Sequence, residues 1–115
     1  MDPSSWESTF RSIANFAACV CSKDGFLSQS EELMMLELLR DSFPNLTEEQ
    51  FDDVLTGFFE SELQIDDYLL AIEKPAERLL ALKIAEKSAS EDGLDLRENI
   101  ALERAYIMWG MTRDA

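Results

Sequence analysis

The strongest constraint on this chain is a spacing. Its apolar residues recur at steps of three and four, in runs that open again and again on helix-capping residues. Trp6, Phe10, Ile13, Ala17 and Cys21 make the first run, behind Asp2 as a cap and Pro3 at a position that suits a helix start. This predicts a helix from about Pro3 to about Val20, closed by the turn signal Ser22-Lys23-Asp24-Gly25. Ser28 and Glu31 then spell a capping box, in which each side chain satisfies a free backbone N–H of the first helical turn. The helix it opens has Leu33, Leu36, Leu39 and Phe43 as its expected core face and stops at Pro44-Asn45.

The same grammar continues. Thr47 and Gln50 form a second capping box, ahead of Phe51, Leu55, Phe58 and Phe59. A break falls near Ser61 to Gln64, and Ile65 to Ile72 reads as a short helix. Pro75 starts a fifth helix with Leu79, Leu82, Ile84 and Ala85 inside, ending at a break over Ser88 to Gly93. Asp95 and Glu98 cap a sixth, whose expected core residues are Ile100, Ala101, Ile107, Met108 and Met111. With only 4 Gly and 3 Pro to interrupt it, the pattern predicts an all-α bundle of about six to seven helices. The linkers are short, so residues 1–115 are expected to form one domain.

Charge narrows the partners. The net charge of −14 predicts repulsion from DNA, RNA and anionic lipid, and attraction to cations or basic proteins. The polar, acidic start MDPSSWESTF lacks the basic-then-apolar order of a signal peptide, and no apolar stretch reaches spanning length. A cytoplasmic protein without membrane insertion is the expectation. Cys19 and Cys21 sit two apart on one predicted helix, point in different directions and cannot pair, which fits reduced thiols.

The chain also echoes itself. SKDGFLSQSEELMML in the first half is answered by SEDGLDLRENIAL in the second. Each copy joins a helix to a Ser-x-Asp-Gly corner and then caps a new helix with an acid in its first turn. Asp tolerates such a turn and Gly permits positive φ, so one reading is simply a helical corner made twice. The doubled Ser-x-Asp-Gly corner with a glutamate in the first turn of the helix after it, within a chain similar from about Ala17 to Met111, resembles the tellurite-resistance TerB family and the related N-terminal domain of DjlA-type co-chaperones. The resemblance implies two halves packed with pseudo-two-fold symmetry, a cytoplasmic accessory role in a stress response, and divalent-cation binding by the acids of the two motifs. Carried onto this chain, those acids are Asp24 and Glu31 in the first copy and Asp92 and Glu98 in the second. The second copy departs from the pattern: Asn99 stands where the acid belongs and Glu98 is one position early, which a loop shorter by one residue would restore. Four carboxylates are hard donors, so Ca²⁺, Mg²⁺ or Mn²⁺ is the expected ion, held weakly at about 10⁻⁴ to 10⁻³ M. A true EF-hand is excluded: with Gly25 as its obligatory glycine, Val20 and Ser22 fall where the first carboxylate ligands are needed.

Catalytic chemistry finds little purchase. The chain has no histidine, which removes His-based triads, His–Cys dyads and most zinc sites. The two cysteines alone cannot complete a tetrahedral metal site, and the four glycines are isolated, so no phosphate loop exists. We therefore read the chain as a non-enzyme. One further asymmetry remains. No basic residue occurs between Arg40 and Lys74, a stretch rich in acids that include the pairs Asp52-Asp53 and Asp66-Asp67. These four predict a face on the third and fourth helices that docks a basic protein surface, against the plainer reading of a solvated, solubilising face. The alternative function is an acidic decoy that imitates nucleic acid and occupies a nucleic-acid-binding protein. A homo-oligomeric scaffold is a third.

Overall fold

A computed structural model describes residues 5–22, 27–93 and 95–112. Within them lie six α-helices and no strand: α1 Ser5–Cys21, α2 Gln29–Ser42, α3 Glu48–Glu60, α4 Ile65–Ala71, α5 Pro75–Ala89 and α6 Leu96–Met108. A 3₁₀ turn over Ser90–Asp92 extends α5 into the corner before α6, so the fifth helix runs through Ser88, where the sequence predicted a break. The Asp2 and Pro3 start signals and the Asp24-Gly25 corner fall outside the described residues.

The helix starts follow the capping chemistry. Ser28 with Glu31, Thr47 with Gln50 and Asp95 with Glu98 all form reciprocal capping boxes. Each box satisfies two backbone donors that the first turn otherwise leaves open. At α4 the Gln64 N–H donates to Asp67 Oδ2 at 2.9 Å. Pro75 occupies the first turn of α5, where its missing N–H costs nothing. Gly93 leaves the 3₁₀ turn at φ +83°, a left-handed backbone that Cβ-bearing residues resist.

α1 is the central helix and packs against α2, α3, α4, α5 and α6. It is accordingly buried on more than one face, with Ile13, Ala14, Phe16, Ala17, Ala18 and Cys21 all fully enclosed. Its most extensive partner is α5. Small residues stand on both sides of that packing, Ala14, Ala17 and Ala18 on α1 and Ala81, Ala85 and Ala89 on α5, which lets two backbones approach closely. Trp109, just past α6, ties α1, α4 and α5 together. Its Nε1 donates to Leu69 O at 3.1 Å, its ring packs on Phe16 at 5.2 Å, and Arg78 lies over it at 5.5 Å.

Several expected core residues lie outside. Leu33 is 57% exposed, Leu79 59%, Ile100 58%, Ile107 78% and Met108 44%, and Phe59 is also exposed. The expected Leu39 and Phe43 are buried, and the buried faces run through Glu31, Met35 and Leu39 on α2, and Glu98, Leu102 and Ala105, continued by Trp109, on α6. Both are proper three-and-four stripes. Their first members were not expected inside because each stripe begins on a glutamate, which periodicity arguments assign to solvent.

Candidate metal centre

Those two glutamates meet. Glu31 is the third residue of α2 and Glu98 the third of α6, each held by the capping box of its own helix. Ser28 donates to Glu31 Oε1 from its N–H at 3.4 Å and its Oγ at 3.1 Å, while the Glu31 N–H donates to Ser28 Oγ at 3.2 Å. On α6 the Asp95 N–H donates to Glu98 Oε1 at 3.1 Å, and the Glu98 N–H to Asp95 Oδ1 at 2.8 Å. A capping-box glutamate usually lies at the surface. Here both are buried, at 2% and 0% exposure.

The third member is Cys21, the last residue of α1, fully buried. One ligand atom from each of Cys21, Glu31 and Glu98 lies within 4.8 Å of the other two. The Cys21 thiol donates to Ala85 O on α5 at 3.8 Å. With Oε1 of Glu31 taken by Ser28, its Oε2 is the oxygen left for the cluster, and it is buried without a hydrogen-bond partner among the described residues. Glu98 Oε2 is equally enclosed. Ser88, one turn beyond Ala85 on the same face of α5, is a further fully buried side chain whose Oγ has no described hydrogen bond.

The electrostatics of this arrangement are demanding. Two full carboxylate charges within 4.8 Å repel by at least about 3 kcal/mol at an effective dielectric of about 20. Like charges this close in a protein interior favour positive charge nearby. The first turns of α2 and α6 supply part of it, each helix start carrying roughly half a positive elementary charge. The donor set also fits an ion sterically. Sulfur and oxygen ligands around a tetrahedral dication stand about 3.4 to 3.6 Å apart, a modest contraction from the observed spread.

Of the four acids implied by the family resemblance, the structure thus brings Glu31 and Glu98 together. The capping boxes place the two at the same helical position, and Glu98, not Asn99, is the counterpart of Glu31. Asp24 and the carboxylate of Asp92 lie outside what is described. Cys21 was missed. Its signal was its place at the end of the helix that enters the first corner, where the second copy has Ala89 at the end of α5.

The four acids expected to form one docking face are dispersed. Asp52 lines a groove of about 220 Å³ between α2 and α3, with Glu32 and Glu48 on its rim and Leu33, Leu36 and Phe51 beneath. Burial, and then the Asp52 charge, push the Glu32 carboxyl above the usual range. Asp53 turns the other way, into a cleft of about 300 Å³ beside Arg11. Asp66 is bound bidentately by Arg104 of α6, at 2.5 and 2.6 Å, and Asp67 caps α4. Adjacent helix residues diverge by about 100°, so a pair of neighbouring acids serves two faces, not one.

Neither cysteine is in a disulfide. Among the described residues no helix is long and apolar enough to cross a membrane. No protein-family model matches the chain, and neither a curated protein nor a solved structure matches it.

Proposed function

We propose that this chain is a TerB-like accessory module that binds a divalent cation between Glu31 and Glu98. The observation that carries the reading is the convergence of two buried carboxylates from two helix starts, with a ligand atom of each within 4.8 Å of the other. A dication neutralises the pair outright. In this reading α1–α2 and α5–α6 are two copies of one unit, related by a pseudo-two-fold axis, and the ion ties their corners together. Binding then switches the stability of the bundle, the kind of readout an accessory protein of a cytoplasmic stress response requires.

The test is calorimetric titration of metal-stripped protein with Ca²⁺, Mg²⁺, Mn²⁺ and Zn²⁺, alongside Glu31→Gln and Glu98→Gln. At least one ion should bind the wild type with unit stoichiometry and raise its thermal midpoint, and either substitution should weaken that binding about a hundredfold or more. Absence of heat and of any stability shift with all four ions would reduce the cluster to a structural carboxyl pair.

A second reading concerns the groove between α2 and α3. Three acids over an apolar floor fit a basic amphipathic segment of a partner protein, so the docking role assigned to the acidic stretch moves from Asp53, Asp66 and Asp67 to Glu32, Glu48 and Asp52. Such binding should associate more slowly as salt rises. The decoy alternative rests on net charge alone.

A further inference from the structure

We infer that Cys21 is a ligand of the same site, and that the site therefore selects a borderline transition dication of the zinc and cobalt class over Ca²⁺ or Mg²⁺. This rests on the cation reading above and adds to it the identity of the ion.

Three observations support the step. The first is position: the fully buried Cys21 has its sulfur within 4.8 Å of both carboxylates, at the end of α1. The second is the buried Glu31 Oε2, a strong acceptor with no described hydrogen bond, which belongs to the same cluster. The third is charge. Two carboxylates and one thiolate carry three negative charges. A dication offsets two, and the two helix starts together offset roughly one more. The neutral thiol would leave the filled site with a net positive charge of about one, so metal entry favours loss of the thiol proton. That proton, now shared with Ala85 O, is released to solvent as the metal–sulfur bond forms.

The ion preference follows from the donor. Thiolate binds Zn²⁺ and Co²⁺ far more strongly than the hard ions, which retain their water or oxygen shells. Ca²⁺ wants six to eight oxygens, and two carboxylates in a dry interior fall well short of that. A four-coordinate ion needs one ligand beyond Cys21, Glu31 and Glu98, and a water completes the set.

The experiment is a Co²⁺ titration of the metal-stripped full chain, followed by absorption spectroscopy, with Zn²⁺ and Ca²⁺ as competitors. The variants are Cys19→Ser, Cys21→Ser and Cys21→Ala, each checked for helical circular dichroism. Cys21→Ala is the safeguard for folding, since alanine already ends α5 at the matching place in the second copy. Wild type and Cys19→Ser should show the intense near-ultraviolet sulfur-to-cobalt charge-transfer band and release close to one proton per ion. Both Cys21 variants should lose the band and bind Zn²⁺ at least tenfold more weakly. Zn²⁺ should displace Co²⁺, and Ca²⁺ at a hundredfold higher concentration should not. Cation binding without the band, or a band that survives in the Cys21 variants, would overturn the role of Cys21 and leave the carboxylate site standing. No binding of any ion would overturn both.

Discussion

Glu31→Gln separates the cation site from an ordinary capping box, because it removes one charge while preserving the cap. Glutamine keeps an Oε1 that accepts from the Ser28 N–H and Oγ, the two contacts made now at 3.4 and 3.1 Å. The loss of about 1 kcal/mol that follows removal of a cap is therefore avoided. At Oε2 the change places an amide donor where a carboxylate oxygen was buried beside Glu98. Repulsion of about 3 kcal/mol at full charge gives way to a hydrogen bond to an ionised acceptor. Allowing for relaxation of the pair, metal-stripped Glu31→Gln should be more stable than wild type by about 2 kcal/mol. Urea denaturation in chelator should report this as a midpoint higher by about 1 M, given the unfolding slopes of small domains. With metal at a hundred times its dissociation constant the order reverses. Wild type then gains about 2.7 kcal/mol by mass action, and the variant gains little. Crossing of the two stabilities between chelator and metal is the signature. A variant that lies below wild type in chelator and responds to metal like wild type would refute the reasoning.

Further outcomes follow from other parts of the fold. Gly93→Val should cost about 1 kcal/mol or more in thermal or urea unfolding; since no atom lies within 4 Å of an added Cβ, this measures the φ of +83° alone, and Gly93→Asn should cost less. Phe16→Ala should cost about 3 to 5 kcal/mol, through a cavity beside Trp109 at the centre of the bundle. Burial pushes the Cys19 thiol up to about 11, and Cys21 is fully enclosed, so aromatic disulfide reagents at pH 8 should label the native protein far more slowly than the urea-unfolded chain. The bidentate hydrogen bonds from Arg104 hold the Asp66 carboxyl below the usual carboxylate range; its contribution is present at neutral pH and lost as pH falls through that lowered value, and carbon-detected titration of Arg104→Ala should return Asp66 to ordinary behaviour.

What the sequence determined by itself was local. The capping boxes at Ser28, Thr47 and Asp95 and the proline at position 75 set where helices begin, because each satisfies or excuses backbone donors within four residues of itself. The all-helical class was legible for the same reason. The tertiary structure decided which face of each helix turned inward. Leu33 and Ile107 went to solvent and two glutamates went to the core, a choice no helical period can make when both faces carry apolar residues. It also decided that Cys21, at the end of α1, stands beside acids that begin two other helices. Ligand atoms from either side of the first corner and from a helix start more than sixty residues later become one site only when helix packing brings their ends to a common point, and the Coulomb cost of that meeting exists only there.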